Sequence, residues 1–123
     1  MNEFVEYIIS DQLAELPAVS AKAMFGGYGL YVEGTIIGIV ADNELYLKVD
    51  ETNMATYTAM GSEPFTYAKK DGKQMTMSYW KVSAEAIEDR EQLRMLVLDS
   101  YDINLKIAVE KKPARKRTVS KRK

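Results

Sequence analysis

Cysteine and histidine are both absent from the 123 residues of this chain, and that removes much reactive chemistry at once. It excludes disulfides, zinc held by thiolate or imidazole, thiolate nucleophiles, Ser-His-Asp relays and imidazole-based pH switches. No run approaches the ~20 consecutive apolar residues that span a bilayer, and no basic-then-apolar leader is visible. The expectation is a cytoplasmic protein with no membrane role and no cofactor. Proline is scarce, at 3 residues, so few positions interrupt regular structure outright.

What is present fits one folded domain. Hydrophobic residues make up 46% and charged residues 28%, and a chain of this size buries roughly two-thirds of its unfolded surface. Charge is placed unevenly. Residues 106–123 hold nine basic side chains (Lys106, Lys111, Lys112, Arg115, Lys116, Arg117, Lys121, Arg122, Lys123) against the single acid Glu110, a net of +8. Residues 1–105 hold eight basic against 17 acidic side chains, a net of −9. The body should repel a polyanion, so nucleic-acid attraction is expected mostly from the end of the chain.

Hydrophobic periodicity sets the elements. Val5, Ile9, Leu13 and Leu16 recur at helical spacing with Phe4 and Ile8 beside them, which predicts a helix from Glu3 to Leu16, stopped by Pro17. From Met24 to Val49 the pattern becomes three β-type runs, 25–32, 35–41 and 44–49. The two-residue connections Glu33-Gly34 and Asp42-Asn43 favour tight antiparallel hairpins. In the third run Leu45, Leu47 and Val49 share a core face while Glu44, Tyr46 and Lys48 share a wetter one. A short helix follows around Met54 to Thr58, closed by Gly61 as a left-handed terminator after the cap-rich Asp50-Glu51-Thr52. A second hairpin spans 65–69 and 74–82 around Asp71-Gly72. Ser83 caps a turn at 84–88, Asp89 and Gln92 have capping-box spacing, and the closing helix runs from Arg90 to about Ile107 with Leu93, Leu96, Val97 and Tyr101 inward. The fold class is α+β: an antiparallel sheet from a three-stranded meander plus a second hairpin, packed with an N-terminal helix, a short middle helix and a long C-terminal helix. The domain is placed at 1–108, and 109–123 reads as a disordered basic tail.

Several motifs invite chemistry. Gly26-Gly27-Tyr28-Gly29 has the look of a phosphate loop, but it leads into a strand instead of a helix, so the stronger reading is a turn where φ is positive or a side chain would clash. The pairs Asp42/Glu44 and Asp50/Glu51 lack a partner base and sit at connections, which favours turn and cap roles. Tyr31, Tyr46, Phe65, Tyr67, Tyr79 and Trp80 could stack single-stranded bases beside lysines. All six cannot share one face, because adjacent Tyr79 and Trp80 point oppositely, and half-buried packing is the favoured role. Met75 and Met77 read as core filler. The basic residues Lys111, Lys112, Arg115, Lys116, Arg117, Lys121, Arg122 and Lys123 are the candidate nucleic-acid contacts.

The run Lys22-Ala-Met-Phe-Gly-Gly-Tyr-Gly-Leu-Tyr-Val32, with Ile39-Val-Ala-Asp42, Leu45-Tyr-Leu-Lys-Val49, Gly61-Ser-Glu-Pro-Phe65 and Met77-Ser-Tyr79, resembles the N-terminal domain of the TfoX (Sxy) family of competence regulators. The resemblance covers residues 1–108. It implies a bacterial α+β domain, without defined catalytic residues, that works with the transcription machinery or the cyclic-AMP receptor protein. Met24, Phe25, Gly26, Gly27, Tyr28, Gly29, Gly61, Pro64, Phe65 and Tyr79 carry the family motif, in an architectural role. TfoX proteins resemble this domain followed by a second, helical one, whereas here a basic run follows the last helix.

The combined expectation is a non-enzymatic regulator acting through protein partners, with DNA touched by the tail and a homodimer as one arrangement. A small-ligand or peptide-binding module is the rival, and proton-transfer chemistry by carboxylate, Lys and Tyr side chains comes third.

Overall fold

The computed structural model describes residues 2–24 and 26–117, with side chains described up to Glu110. Four strands come first: β1 (Val19–Met24), β2 (Gly27–Val32), β3 (Thr35–Ala41) and β4 (Glu44–Lys48). After α2 (Met54–Ala59) come β5 (Pro64–Ala68) and β6 (Gln74–Lys81), then α3 (Ala84–Glu88) and α4 (Arg90–Arg117). All neighbouring strands are antiparallel, in the order β1-β2-β3-β4-β6-β5. The α+β architecture expected from periodicity is therefore present.

The connections explain the register. Glu33 and Gly34 take φ of 49° and 82°, and Asp42 and Asn43 take 53° and 60°, so both hairpins turn through two left-handed residues, the backbone twist that matches flanking strands. The carboxylate of Asp42 thus belongs to turn chemistry. Asp50 is similar, accepting bonds from the Thr52 amide at 2.8 Å and the Thr52 hydroxyl at 2.5 Å.

Two elements depart from the periodicity reading. The meander has a fourth strand, β1, which lies before Met24 and pairs with β2 from Val19↔Val32 to Met24↔Gly27. The N-terminal helix is also shorter than Glu3–Leu16. It begins as α1 (Glu3–Glu6), where Asn2 caps the Val5 amide at 2.9 Å, and widens into a π-helical turn over Tyr7–Gln12. The Leu13 amide bonds the Ile8 carbonyl five residues back, at 2.9 Å. This rewinding brings Gln12 into the core, where its Nε2 donates to the Ile87 carbonyl at 2.6 Å.

One face of the sheet and the helices share a single core. Val5, Ile8, Leu13, Leu30, Ile37, Leu45, Leu47, Tyr57, Leu93 and Val97 are almost wholly buried there. Each buried methylene contributes about 0.8 kcal/mol. Polar clamps tie α4 to the ends of β3 and β4. Ser100 donates to the Lys48 carbonyl at 2.8 Å, and Asn104 to the Ile36 carbonyl at 2.8 Å. Buried Asn53 braces the loop that leaves β4, accepting from the Asp50 amide at 2.8 Å and donating to the Lys48 carbonyl at 3.2 Å. Ser83 caps α3 through the Ala86 amide at 3.2 Å, and Asp89 bonds the Gln92 amide at 3.1 Å at the start of α4.

Leu93, Leu96 and Val97 are buried as the periodicity requires. The α4 backbone continues past Ile107 to Arg117. The side chains of 111–117 and all of 118–123 lie outside the described residues, and with them most of the stretch read as a disordered tail at 109–123. Among the described residues no helix is long and apolar enough to cross a membrane.

Candidate functional site

The glycine run sits at the β1–β2 hairpin, and each described glycine there has its own steric reason. Gly26 takes φ of +81° in the turn, where an L side chain is strained. A Cβ on Gly27 would lie 2.2 Å from the Val40 carbonyl oxygen, so the β2 and β3 backbones could not approach as they do. Across Gly29 lie the side chains of Met24 and Tyr31, which an added Cβ would meet at 3.1 and 3.3 Å. The run opens a strand and faces no helix N-terminus, which removes the phosphate-loop geometry. Phe25, between Met24 and Gly26, lies outside the described residues.

Gly61, at φ +74°, closes α2 in a paired arrangement: its amide bonds the Thr58 carbonyl at 3.0 Å and the Ser62 amide bonds the Tyr57 carbonyl at 3.0 Å. Pro64 begins edge strand β5, where a missing amide costs the ladder nothing. The expected architectural roles of Gly26, Gly27, Gly61 and Pro64 follow from these geometries.

An open hollow of about 480 Å³ lies between Phe4, Glu44, Gly61, Lys81 and Ile87. Its polar rim is already engaged: Lys81 Nζ pairs with Glu44 at 3.2 Å, and the Ser62 hydroxyl donates to the Lys81 carbonyl at 2.5 Å. Among the described residues no group of acids is placed to hold a metal ion. Inside the core, burial pushes the Tyr57 hydroxyl far up, and it makes no hydrogen bond. Nearby Ser100 eases that shift slightly, although its own hydroxyl donates to Lys48.

The opposite face of the sheet is chemically different. By register, Lys22, Tyr31, Tyr46, Lys48, Tyr79 and Lys81 alternate away from the core, and Trp80, opposite Leu47, points into it. Tyr79 and Trp80 therefore diverge as alternation demands, and five of the six candidate rings share one face. On β5, Phe65 meets Tyr46 edge-on at 4.9 Å between centroids. Tyr67 pairs with Met75 and stands 45% exposed. Met75, expected as core filler, is 38% exposed, because β5 and β6 run past the end of β4 and have no helix behind them. Lys22 Nζ sits 5.4 Å from the Tyr31 ring centre, and Lys48 Nζ 5.6 Å from that of Tyr79. Burial raises the Tyr79 hydroxyl above its ordinary value, and burial followed by the Glu44 charge raises that of Tyr46, so both stay protonated at neutral pH.

This clustering was not legible in the sequence, because the pairing of β4 with β6 across 25 or more residues decides it. The candidate contacts Lys111, Lys112, Arg115, Lys116, Arg117, Lys121, Arg122 and Lys123 lie outside the described side chains.

Comparison with known proteins gives these features a family. The chain is 31% identical over 98 residues to Protein Sxy of Escherichia coli K12, spanning 80% of this chain and 46% of that protein. It is 29% identical over 100 residues to the DNA transformation protein TfoX of Haemophilus influenzae, spanning 79% of this chain and 45% of the relative. The alignment thus spans less than half of either relative. The TfoX N-terminal domain model matches residues 11–103, which takes in the glycine hairpin, the whole sheet and most of the packed part of α4, and the chain belongs to that family.

Proposed function

We propose that this chain is a non-enzymatic regulatory module of competence-related gene control. It acts by contacting a protein of the transcription machinery, the cyclic-AMP receptor protein being the leading candidate, and its basic end adds affinity for DNA. The observation that carries the reading is the family match over residues 11–103, one relative of which is called a DNA transformation protein. The fold supports it in a general way. The glycine hairpin and the buried polar clamps fix backbone shape, which suits a protein whose surface is its function.

The electrostatic part rests on the +8 carried by residues 106–123. Each phosphate neutralised on duplex DNA contributes about −0.9 to the slope of log K against log salt. Replacing Lys111, Lys112, Arg115, Lys116, Arg117, Lys121, Arg122 and Lys123 with Gln in the full chain should flatten that slope and weaken duplex binding by about tenfold or more at low salt. Retention of the protein partner by the same variant, in a pull-down with purified receptor protein, would separate the two contacts. Unchanged duplex affinity would remove the basic end from the account, and failure of the wild-type chain to retain any transcription protein would remove the partner.

A further inference from the structure

The sheet face turned away from the core answers a question the charge balance of the sequence gets wrong. Residues 1–105 carry −9 overall, yet the charges separate by layer. Of the eight basic side chains in that stretch, Lys22, Lys48 and Lys81 lie on the outward face, and Lys69, Lys70 and Lys73 surround the single acid Asp71 in the β5–β6 turn. The helical side carries the acids Glu3, Glu6, Glu85, Glu88 and Glu91. On the outward face the register places one acid, Glu44, and it is paired with Lys81. Between the lysines stand the rings of Tyr31, Tyr46, Phe65, Tyr67 and Tyr79, and the core cluster includes none of them. A face built for solvent alone has no use for five aromatic rings, and a face built to complete the core would not hold two ammonium groups over ring faces.

We propose that this face binds single-stranded DNA, the rings stacking on bases and the lysines meeting the backbone phosphates. Aromatic stacking tolerates any base, and lysines beside the rings provide the anionic backbone with its counter-charge. The six strands give a width of about 24 Å from β1 to β5 at roughly 4.8 Å per neighbour, enough for several stacking positions. Duplex DNA keeps its bases stacked on one another, so the ring faces proposed to stack here find no exposed base on it. Among the described residues, Glu44 on this face is paired with Lys81 and the Asn104 amide beside Tyr79 donates to the Ile36 carbonyl, so little is left to reward a ribose 2′-hydroxyl, which favours DNA over RNA. Asn104 of α4 bonds the Tyr79 hydroxyl at the border of this face, and the proposal does not depend on the regulatory reading above.

The test uses the full chain and a fluorescein-labelled oligothymidylate of about 12 nucleotides, within the site sizes usual for single-strand binders. Duplex DNA of that length, the matching ribo-oligonucleotide and heparin, a polyanion without bases, serve as competitors. Single-stranded DNA should quench tyrosine emission and bind more tightly than the duplex. Phe65→Ala with Tyr67→Ala should weaken single-strand binding by about fivefold or more while leaving heparin binding unchanged and lowering the thermal melt only by the lost Phe65–Tyr46 contact. Tyr31→Leu, on the far side of the sheet, gives the same readout independently of the β5–β6 hairpin. Lys22→Gln and Lys48→Gln should each reduce the salt slope by about 0.7. The eight-residue Gln variant of the basic end should keep the tyrosine quench. In that variant, equal affinity for single strand and duplex would overturn the proposal, as would ring substitutions that leave single-strand affinity unaltered. Tighter binding of the ribo-oligonucleotide would overturn the choice of DNA. Ring variants that lose a protein partner but hold the oligonucleotide as before would reassign the face to protein recognition.

Discussion

At the scale of single residues, two neighbouring glycines separate two physical demands. Gly26 answers to conformation: its φ of +81° is strained for any L side chain, yet a Cβ there would meet nothing within 4 Å. Gly27 answers to space, because its missing Cβ is what lets the Val40 carbonyl approach, at 2.2 Å from where that atom would stand. Left-handed backbone costs roughly 1–2 kcal/mol for an ordinary residue, while a clash with a strand backbone cannot be relieved by a rotamer change. Gly26→Ala should therefore lower unfolding free energy by about 1 kcal/mol and Gly27→Ala by about 3 kcal/mol. Urea denaturation of both variants checks the order, and a smaller loss for Gly27→Ala would mean that β2 and β3 separate easily.

At the scale of elements, the β5–β6 hairpin is the exception in the sheet. Its ladder with β4 runs from Tyr46↔Lys81 to Lys48↔Tyr79, while Thr66–Ala68 and Gln74–Thr76 pair with each other beyond it. A lone two-stranded ribbon is marginal in water. The ladder amides of Tyr67 and Met75 should exchange about two orders of magnitude faster than those of Ile39 and Val40 in the sheet centre, read by native-state hydrogen exchange. Equal protection would mean that the ribbon is held by more than its own ladder. The hairpin itself was legible from its turn residues, as were β2, β3, β4, α2, α3 and the start of α4, where turn chemistry and apolar spacing agree. Strand β1 was not legible, because Ala21 and Ala23 give little hydrophobic contrast and the strand is held by its ladder with β2. Nor was the π-helical turn: a stripe through Val5, Ile9 and Leu13 assumes 3.6 residues per turn, and the wider winding buries Ile8 and Gln12. The outward ring cluster lay still further from view, since local alternation fixes faces within a strand while long-range pairing decides which strands meet.

For the molecule as a whole, placing lysines on the sheet and acids on the helices has an electrostatic cost that should appear on the helical side. Asp99 and Asp102 lie close together on α4, and the Asp99 carboxyl is held above its ordinary value, first by partial burial and then by the Asp102 charge. A carboxyl whose folded pKa is raised binds its proton more tightly in the folded chain. Its contribution to stability is complete below the unfolded value, about 3.9, and is lost as pH rises through the folded one. At neutral pH, then, ionised Asp99 works against the fold, though solvent screening keeps the effect small. Asp50 has the opposite sign: the Thr52 hydroxyl holds its carboxyl low, so its contribution is present at neutral pH and fades as pH falls through that lowered value. Asp99→Asn should accordingly raise Tm slightly near neutral pH, and the gain should shrink toward zero as pH drops below about 4, while Asp50→Asn should lower Tm at neutral pH and converge on wild type in acid. Thermal melts of the three chains across that range decide it: an Asp99→Asn gain that persists in acid would point to packing, and no gain at neutral pH would mean that solvent already screens the pair completely.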